Sequence, residues 1–239
     1  MAYSAGFTPH PKVSYAGAAP TGVASEAEYL EIGVAARCDP AALRELLDSS
    51  LPSGLDVVEI VEAQGGNLPE RLEASVWEIA LAGVTDAEAV RAIEAFSAAE
   101  IVEVERMTKN GKRTFDARAA VVDVTVTTPD GNDAGHQGVD AGSGSPCAIL
   151  RLVVRHTTPA VRPDDVLSGL RLVADLVVPT AAAVTRLAQG PLDTATNSVT
   201  DPLAPDRAPS AVEHTPQGDE VLRTGPQGGA EPVVEASNR

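Results

Sequence analysis

Residues 75–81 alternate with a period of two, Val76, Glu78 and Ala80 against Trp77, Ile79 and Leu81, and Thr85-Asp86-Ala87-Glu88 follows almost at once. The alternation predicts a strand with one buried face. The spacing of Thr85 and Glu88 predicts a capping box, in which each side chain satisfies a free amide at a helix start. Val90, Ile93 and Phe96 then give the buried stripe of that helix. Strands are expected at 101–107 and 113–127, joined at Asn110-Gly111, where both turn positions favour positive φ. A further strand at 147–156, a helix opened by Arg162-Pro163 and running to about residue 170, and a closing strand at 181–188 complete the series. Strand, helix, strand, strand, helix, strand is the order of a ferredoxin-like split βαβ unit.

The front of the chain repeats part of that order. Residues 13–16 read as a strand. Residues 28–34 read as another, with Tyr29, Glu31 and Gly33 on one side and Leu30, Ile32 and Val34 on the side expected to be buried. Asp39-Pro40 caps and opens a helix carrying Leu43, Leu46 and Leu47, Pro52-Ser53-Gly54 stops it, and 55–63 is strand-like again. The fold class is therefore α+β. Residues 1–63 are a first unit, 64–73 a linker with Gly65, Gly66 and Pro69, and 74–190 the second unit. Within the second unit, 129–146 form a Gly-, Asp- and Ser-rich excursion that lacks the lysine and the context of a phosphate loop. From 191 to 239 periodicity is lost, and an acidic disordered tail is expected.

Charge narrows the function classes. The 239-residue chain carries a formal charge of −16, which disfavours broad nonspecific association with nucleic acid or an anionic membrane while leaving room for a local contact. Cys38 and Cys147 lack any metal-ligand spacing and read as buried thiols, so no cofactor is expected; a radical SAM cluster needs three close thiolates, more than the chain has. No apolar run reaches the length of a membrane span and no signal pattern opens the chain, which points to the cytoplasm.

The chemistry concentrates at the front, in Tyr3-Ser4-x-Gly6-Phe7-x-Pro9-His10-Pro11-Lys12-x-Ser14. The two prolines bias Thr8 and His10 to extended conformations, which presents the imidazole on a stiff segment. His10 is the candidate acid, base or ligand contact, with Tyr3, Ser4 and Lys12 as binding candidates. Arg106, Lys109, Lys112, Arg113 and Arg118 crowd one hairpin, a phosphate-contacting finger or a solvated strand edge. Arg151 and Arg155 share a strand face with Ile149 and Val153. Asp116 and Arg118, two residues apart, read as an ion pair along one strand. Arg162 stands at a helix start, where the dipole disfavours a cation, and joins Arg186 as a binding candidate.

The opening motif resembles the signature of the radical-SAM-linked protein family, a domain of unknown function found fused behind a radical SAM enzyme or encoded apart from one. Glu28-Tyr29-Leu30-Glu31-Ile32, Asp116-x-Arg118, Arg162-Pro163-Asp164-Asp165-Val166-Leu167 and Arg186 agree with it, over residues 2–191. Relatives carry a strand and a helix ahead of the motif, so the first ferredoxin-like unit is expected to lack both. The resemblance implies a radical SAM enzyme as partner. Three functions remain open: a non-catalytic module that presents a substrate, with RNA the guess; a metal-independent RNA-acting enzyme using His10; and an assembly scaffold.

Overall fold

In a computed structural model the described residues are 1–5, 7–109, 111–127 and 145–207. In chain order the elements are β1 (Val13–Ala16), β2 (Ala24–Ser25), β3 (Tyr29–Ile32), α1 (Pro40–Asp48), α2 (Leu68–Arg71), β4 (Ala74–Ala82) and α3 (Asp86–Ala98). They continue with β5 (Glu103–Thr108), β6 (Gly111–Asp116), β7 (Val121–Thr127), β8 (Cys147–Arg155), α4 (Pro163–Ala174), β9 (Ala183–Gly190), β10 (Leu192–Asp193) and β11 (Ser198–Val199). The protein is mixed α+β.

A five-stranded sheet in the order β2-β9-β4-β8-β7 carries the body. β4 runs antiparallel to both β8 and β9, β7 is antiparallel to β8, and only the short β2 is parallel to its neighbour. The alternation read in 75–81 sets the register: Trp77, Ile79 and Leu81 join Ala148, Leu150, Leu152 and Val154 on one face. Against that face pack Ala89, Ala92 and Phe96 of α3 and Val166 and Leu170 of α4. The Thr85–Glu88 capping box forms as expected, with Thr85 N–H donating to Glu88 Oε2 at 2.9 Å. The two helices meet at Gly169, where a Cβ would stand 2.8 Å from Phe96 Cε2 and 3.1 Å from Val102 Cγ1.

Four expectations need correction. The strand expected at 113–127 is two strands with a 3₁₀ turn at Arg118–Ala120 between them. The Asp116 carboxylate causes the break: it accepts the N–H groups of Val102 and Arg118, both at 2.9 Å, and turns the chain out of the ladder. β5 and β6 consequently form a hairpin with its own two-stranded sheet, and Asp116 and Arg118 are not an ion pair along one strand. Residues 55–63 form no strand. The expected linker includes α2, whose Leu68 is buried together with Leu72 and Ala16.

The first part of the expected tail is structured instead. Residues 191–207 hold the β10–β11 hairpin and a 3₁₀ turn at Ala204–Asp206. They are tied to the body by Arg71–Asp206 and Arg207–Glu59 ion pairs. The remainder of that tail, the Asn110 turn position and most of the expected excursion at 129–146 lie outside the described residues.

β1 and β3 form a separate two-stranded antiparallel sheet pairing Val13 with Ile32 and Tyr15 with Leu30. Those four apolar side chains share one face. The face expected to be buried is open: Val13, Tyr15, Leu30 and Val34 are all exposed and Ile32 is half-buried. The main core lies instead under the five-stranded sheet, and the contact of α2 with this one falls on its other face, where Leu68 packs with Ala16 and Tyr29.

Candidate functional site

The front motif folds into a pinned loop. Ser4 N–H donates to the His10 carbonyl at 2.8 Å, His10 N–H donates to Ser4 Oγ at 3.0 Å, and Lys12 N–H donates to the Ala2 carbonyl at 2.9 Å. Tyr3 bridges to Pro11, and Ala2 N–H donates to the Gly33 carbonyl at 2.7 Å, which fastens the loop to the end of β3. These bonds take up the backbone and leave the side chains outside. Tyr3 is 57% exposed, Tyr15 is 64% exposed, and Phe7, His10 and Lys12 stand in solvent. Ser4 is the exception: half-buried, it spends its hydroxyl as the loop's latch.

Two compositional facts sharpen this surface. The chain has seven aromatic side chains; Tyr29, Trp77, Phe96 and Phe115 are buried or half-buried, and the three exposed ones fall within the first fifteen residues. The first carboxylate of this strongly acidic chain is Glu26, so the loop and β1 carry only His10 and Lys12 as titratable side-chain cations. Tyr15 sits on the open apolar face of β1–β3, flanked by Val13 and faced by Leu30.

The basic hairpin is less available than its composition implied. Arg106 donates to Asp165 Oδ2 at 2.7 Å and to the Ala160 carbonyl at 3.1 Å, and lies 4.9 Å over the Phe115 ring. It fastens β5 to the start of α4. Burial raises the Asp165 carboxyl, against the Arg162 amide hydrogen bond and the Arg106 and Arg162 charges. That carboxylate also accepts the Arg162 N–H at 2.8 Å, so the helix start is capped from within although Arg162 itself is exposed. Lys112 pairs with Glu105. Arg118 donates to the Val121 carbonyl at 3.0 Å and approaches the Phe96 ring at 6.0 Å. Lys109 and Arg113 are the exposed cations left at the hairpin, with Arg151 and Arg155 on β8. By strand alternation Arg113 shares a face with Arg106 and Lys112 does not.

Arg186 is a clamp. It is 3% exposed and donates to the Gly17 carbonyl at 2.6 Å, to Ser25 Oγ at 3.2 Å and to the Glu28 carboxylate. Its guanidinium lies 5.6 Å from the centroid of the Trp77 ring. Burial alone would raise the Glu28 carboxyl; hydrogen bonds with Ser25 and Arg186 outweigh it and hold the group below the ordinary carboxylate range. Gln189 Nε2 adds a bond to the Ala27 carbonyl at 2.6 Å. The front segment is thus locked to β9 through Gln189 and through Arg186, which the sequence offered as a ligand contact.

Sequence reading missed one arrangement. His156 Nδ1 lies 2.6 Å from the Leu72 carbonyl, which only accepts, so that nitrogen carries the proton. Nε2 then accepts from Ser75 Oγ at 2.7 Å. Burial lowers the His156 pKa, with the Arg186 charge acting the same way. The geometry is that of a nucleophile and its base, but Ser75 is 1% exposed and a substrate has no approach to its oxygen. The pair joins the end of β8 to the start of β4. No signal in the sequence connects residues 81 positions apart. Neither cysteine is buried as expected: Cys38 is exposed and Cys147 half-buried.

A model of a bacterial protein family, described as "Uncharacterized protein conserved in bacteria (DUF2344)", matches residues 1–163. No curated protein and no solved structure matches the chain.

Proposed function

The chain belongs to that uncharacterized bacterial family, and from its own surface we propose that it is a non-catalytic binding module that holds single-stranded RNA. One observation carries the reading: the exposed aromatic side chains, Tyr3, Phe7 and Tyr15, are gathered with His10 and Lys12 in a stretch without a carboxylate. Proteins that bind unpaired strands combine aromatic faces, on which each stacked base contributes about 1–3 kcal/mol, with cations along the backbone. An open strand face bearing Tyr15 among aliphatic neighbours has the character of such a platform. The charge of −16 disfavours broad contact with phosphate and favours a local one such as this. His10 is read as a contact rather than a catalyst, because acid–base work needs a second positioned group.

The resemblance to the radical-SAM-linked family makes a radical SAM enzyme the expected recipient of the bound strand. The fold reading is compatible with that role. Apart from the β5–β6 hairpin and the 3₁₀ turn between α3 and β7, the elements β4, α3, β7, β8, α4 and β9 run as strand, helix, strand, strand, helix, strand, and their four strands lie in the spatial order fourth, first, third, second. That supports a ferredoxin-like unit at 74–190; in 1–63 the β1–β3 pair stands as its own two-stranded sheet and β2 joins the five-stranded one, so a second unit has no such support.

The test is anisotropy of a labelled unstructured RNA titrated with the full chain over a salt series. Binding at low salt that weakens in Phe7→Ala and Tyr15→Ala is expected, with Lys12→Ala lowering the salt slope by about 0.7. Absence of binding at low salt, or binding indifferent to both aromatic changes, overturns the reading.

A further inference from the structure

A different surface, independent of the RNA platform, calls for a partner. α1 is amphipathic, with Leu43, Leu46 and Leu47 at the i, i+3, i+4 spacing of one stripe, yet none of its residues is fully buried: Leu43 and Leu47 are half-buried and Leu46 is 66% exposed. Leu51, Leu55 and Val58, just beyond it, are exposed as well. A nine-residue helix is too short to persist in water on its own propensity; packing of its apolar stripe normally stabilises it. Here the stripe is packed only in part, and polar bonds add to the hold: Arg44 donates to the Val57 carbonyl at 3.3 Å and Asp48 accepts the Val57 N–H at 2.8 Å.

The rim of this surface is acidic. Between residues 37 and 62 stand six carboxylates, Asp39, Glu45, Asp48, Asp56, Glu59 and Glu62, against Arg37 and Arg44. Arg37 takes up Glu62 at 2.9 Å, Arg207 takes up Glu59, and Arg44 is engaged as above, which leaves Glu45 and Asp56 as the carboxylates offered to a partner. A second copy would bring the same carboxylates against these, so self-association is opposed by charge.

We propose that α1 and the 51–58 stretch form a docking surface for a basic amphipathic helix of a partner protein. Its apolar stripe covers Leu43, Leu46 and Leu47, and its Lys or Arg side chains meet Glu45 and Asp56. Helix-on-helix packing gives the shape, and the acidic rim gives orientation and speed of encounter.

The probe is a labelled peptide of roughly 18 residues with Leu and Lys at helical spacing, compared with the same peptide bearing Glu for Lys. Titrated with the full chain at physiological salt, the Lys peptide binds and the Glu peptide does not. Leu46→Asp is the deciding variant because it adds a negative charge while removing the apolar contact. Docking on the stripe predicts a loss of about tenfold or more in affinity, whereas attraction by charge alone predicts tighter binding and overturns the proposal. Leu46→Asn, which leaves the charge unchanged, is expected to weaken binding in the same direction. Unchanged affinity in both variants overturns the proposal, as does a wild-type chain that elutes as a dimer and becomes monomeric with Leu46→Asp. RNA binding by the front loop is measured separately and is expected to be unaffected by either change.

Discussion

At the scale of single residues, Arg186 shows how a binding candidate becomes part of the frame. Its position in the sequence marked it, but its role depends on groups some 160 positions away, Gly17, Ser25 and Glu28, which strand geometry alone brings within reach. Removing one partner of a buried pair leaves the other uncompensated, at a cost of about 3–5 kcal/mol. Glu28 keeps 38% of its side chain in water, so a smaller loss of about 2–3 kcal/mol is expected for Arg186→Ala. Chemical denaturation checks the size, and proteolysis of the native protein is expected to open first between Gly17 and Glu28. A variant as stable and as resistant as the wild type would mean the clamp is ornamental. By contrast, His10 was legible as a presented residue because prolines on both sides restrict the backbone locally.

Among the elements, the capping box, the strand at 75–81 and α4 could be read directly, since each rests on spacing within one segment. The break at Asp116 could not. Residues 113–127 keep a strand-like composition, and the turn arises from a carboxylate that reaches across to Val102. The open face of β3 was misjudged for a related reason: alternation says which side chains share a face and is silent on what covers it. Helix contact offers a sharper test. Gly169→Ala improves helix propensity by about 1 kcal/mol, but its methyl meets Phe96 and Val102 inside contact distance. Overpacking outweighs the gain, and a net destabilisation of about 1 kcal/mol is expected from urea midpoints. A raised midpoint would show that α3 and α4 part readily.

Over the whole molecule the five-stranded sheet and the β1–β3 sheet differ in what holds them. β4 is paired on both sides and buried against two helices, while β1 and β3 are two four-residue strands with one open apolar face. Two-stranded sheets are marginal in water. Hydrogen exchange is therefore expected to be slowest in β4 and β8, opening only with global unfolding, and faster by orders of magnitude in β1 and β3. Equal protection of the two sheets would contradict this division. The same contrast explains why the second half of the fold was easier to read than the first: its pattern is enforced by a core that the chain itself supplies.

The indole of Trp77 is the chain's only one, and it rests against the guanidinium that fastens the front segment. Its fluorescence is thus a built-in gauge of whether residues 17–28 are seated. Any strand or helix that docks by prising the front away from β9 will shift the emission without a label, and one that docks on the seated form will leave it unchanged.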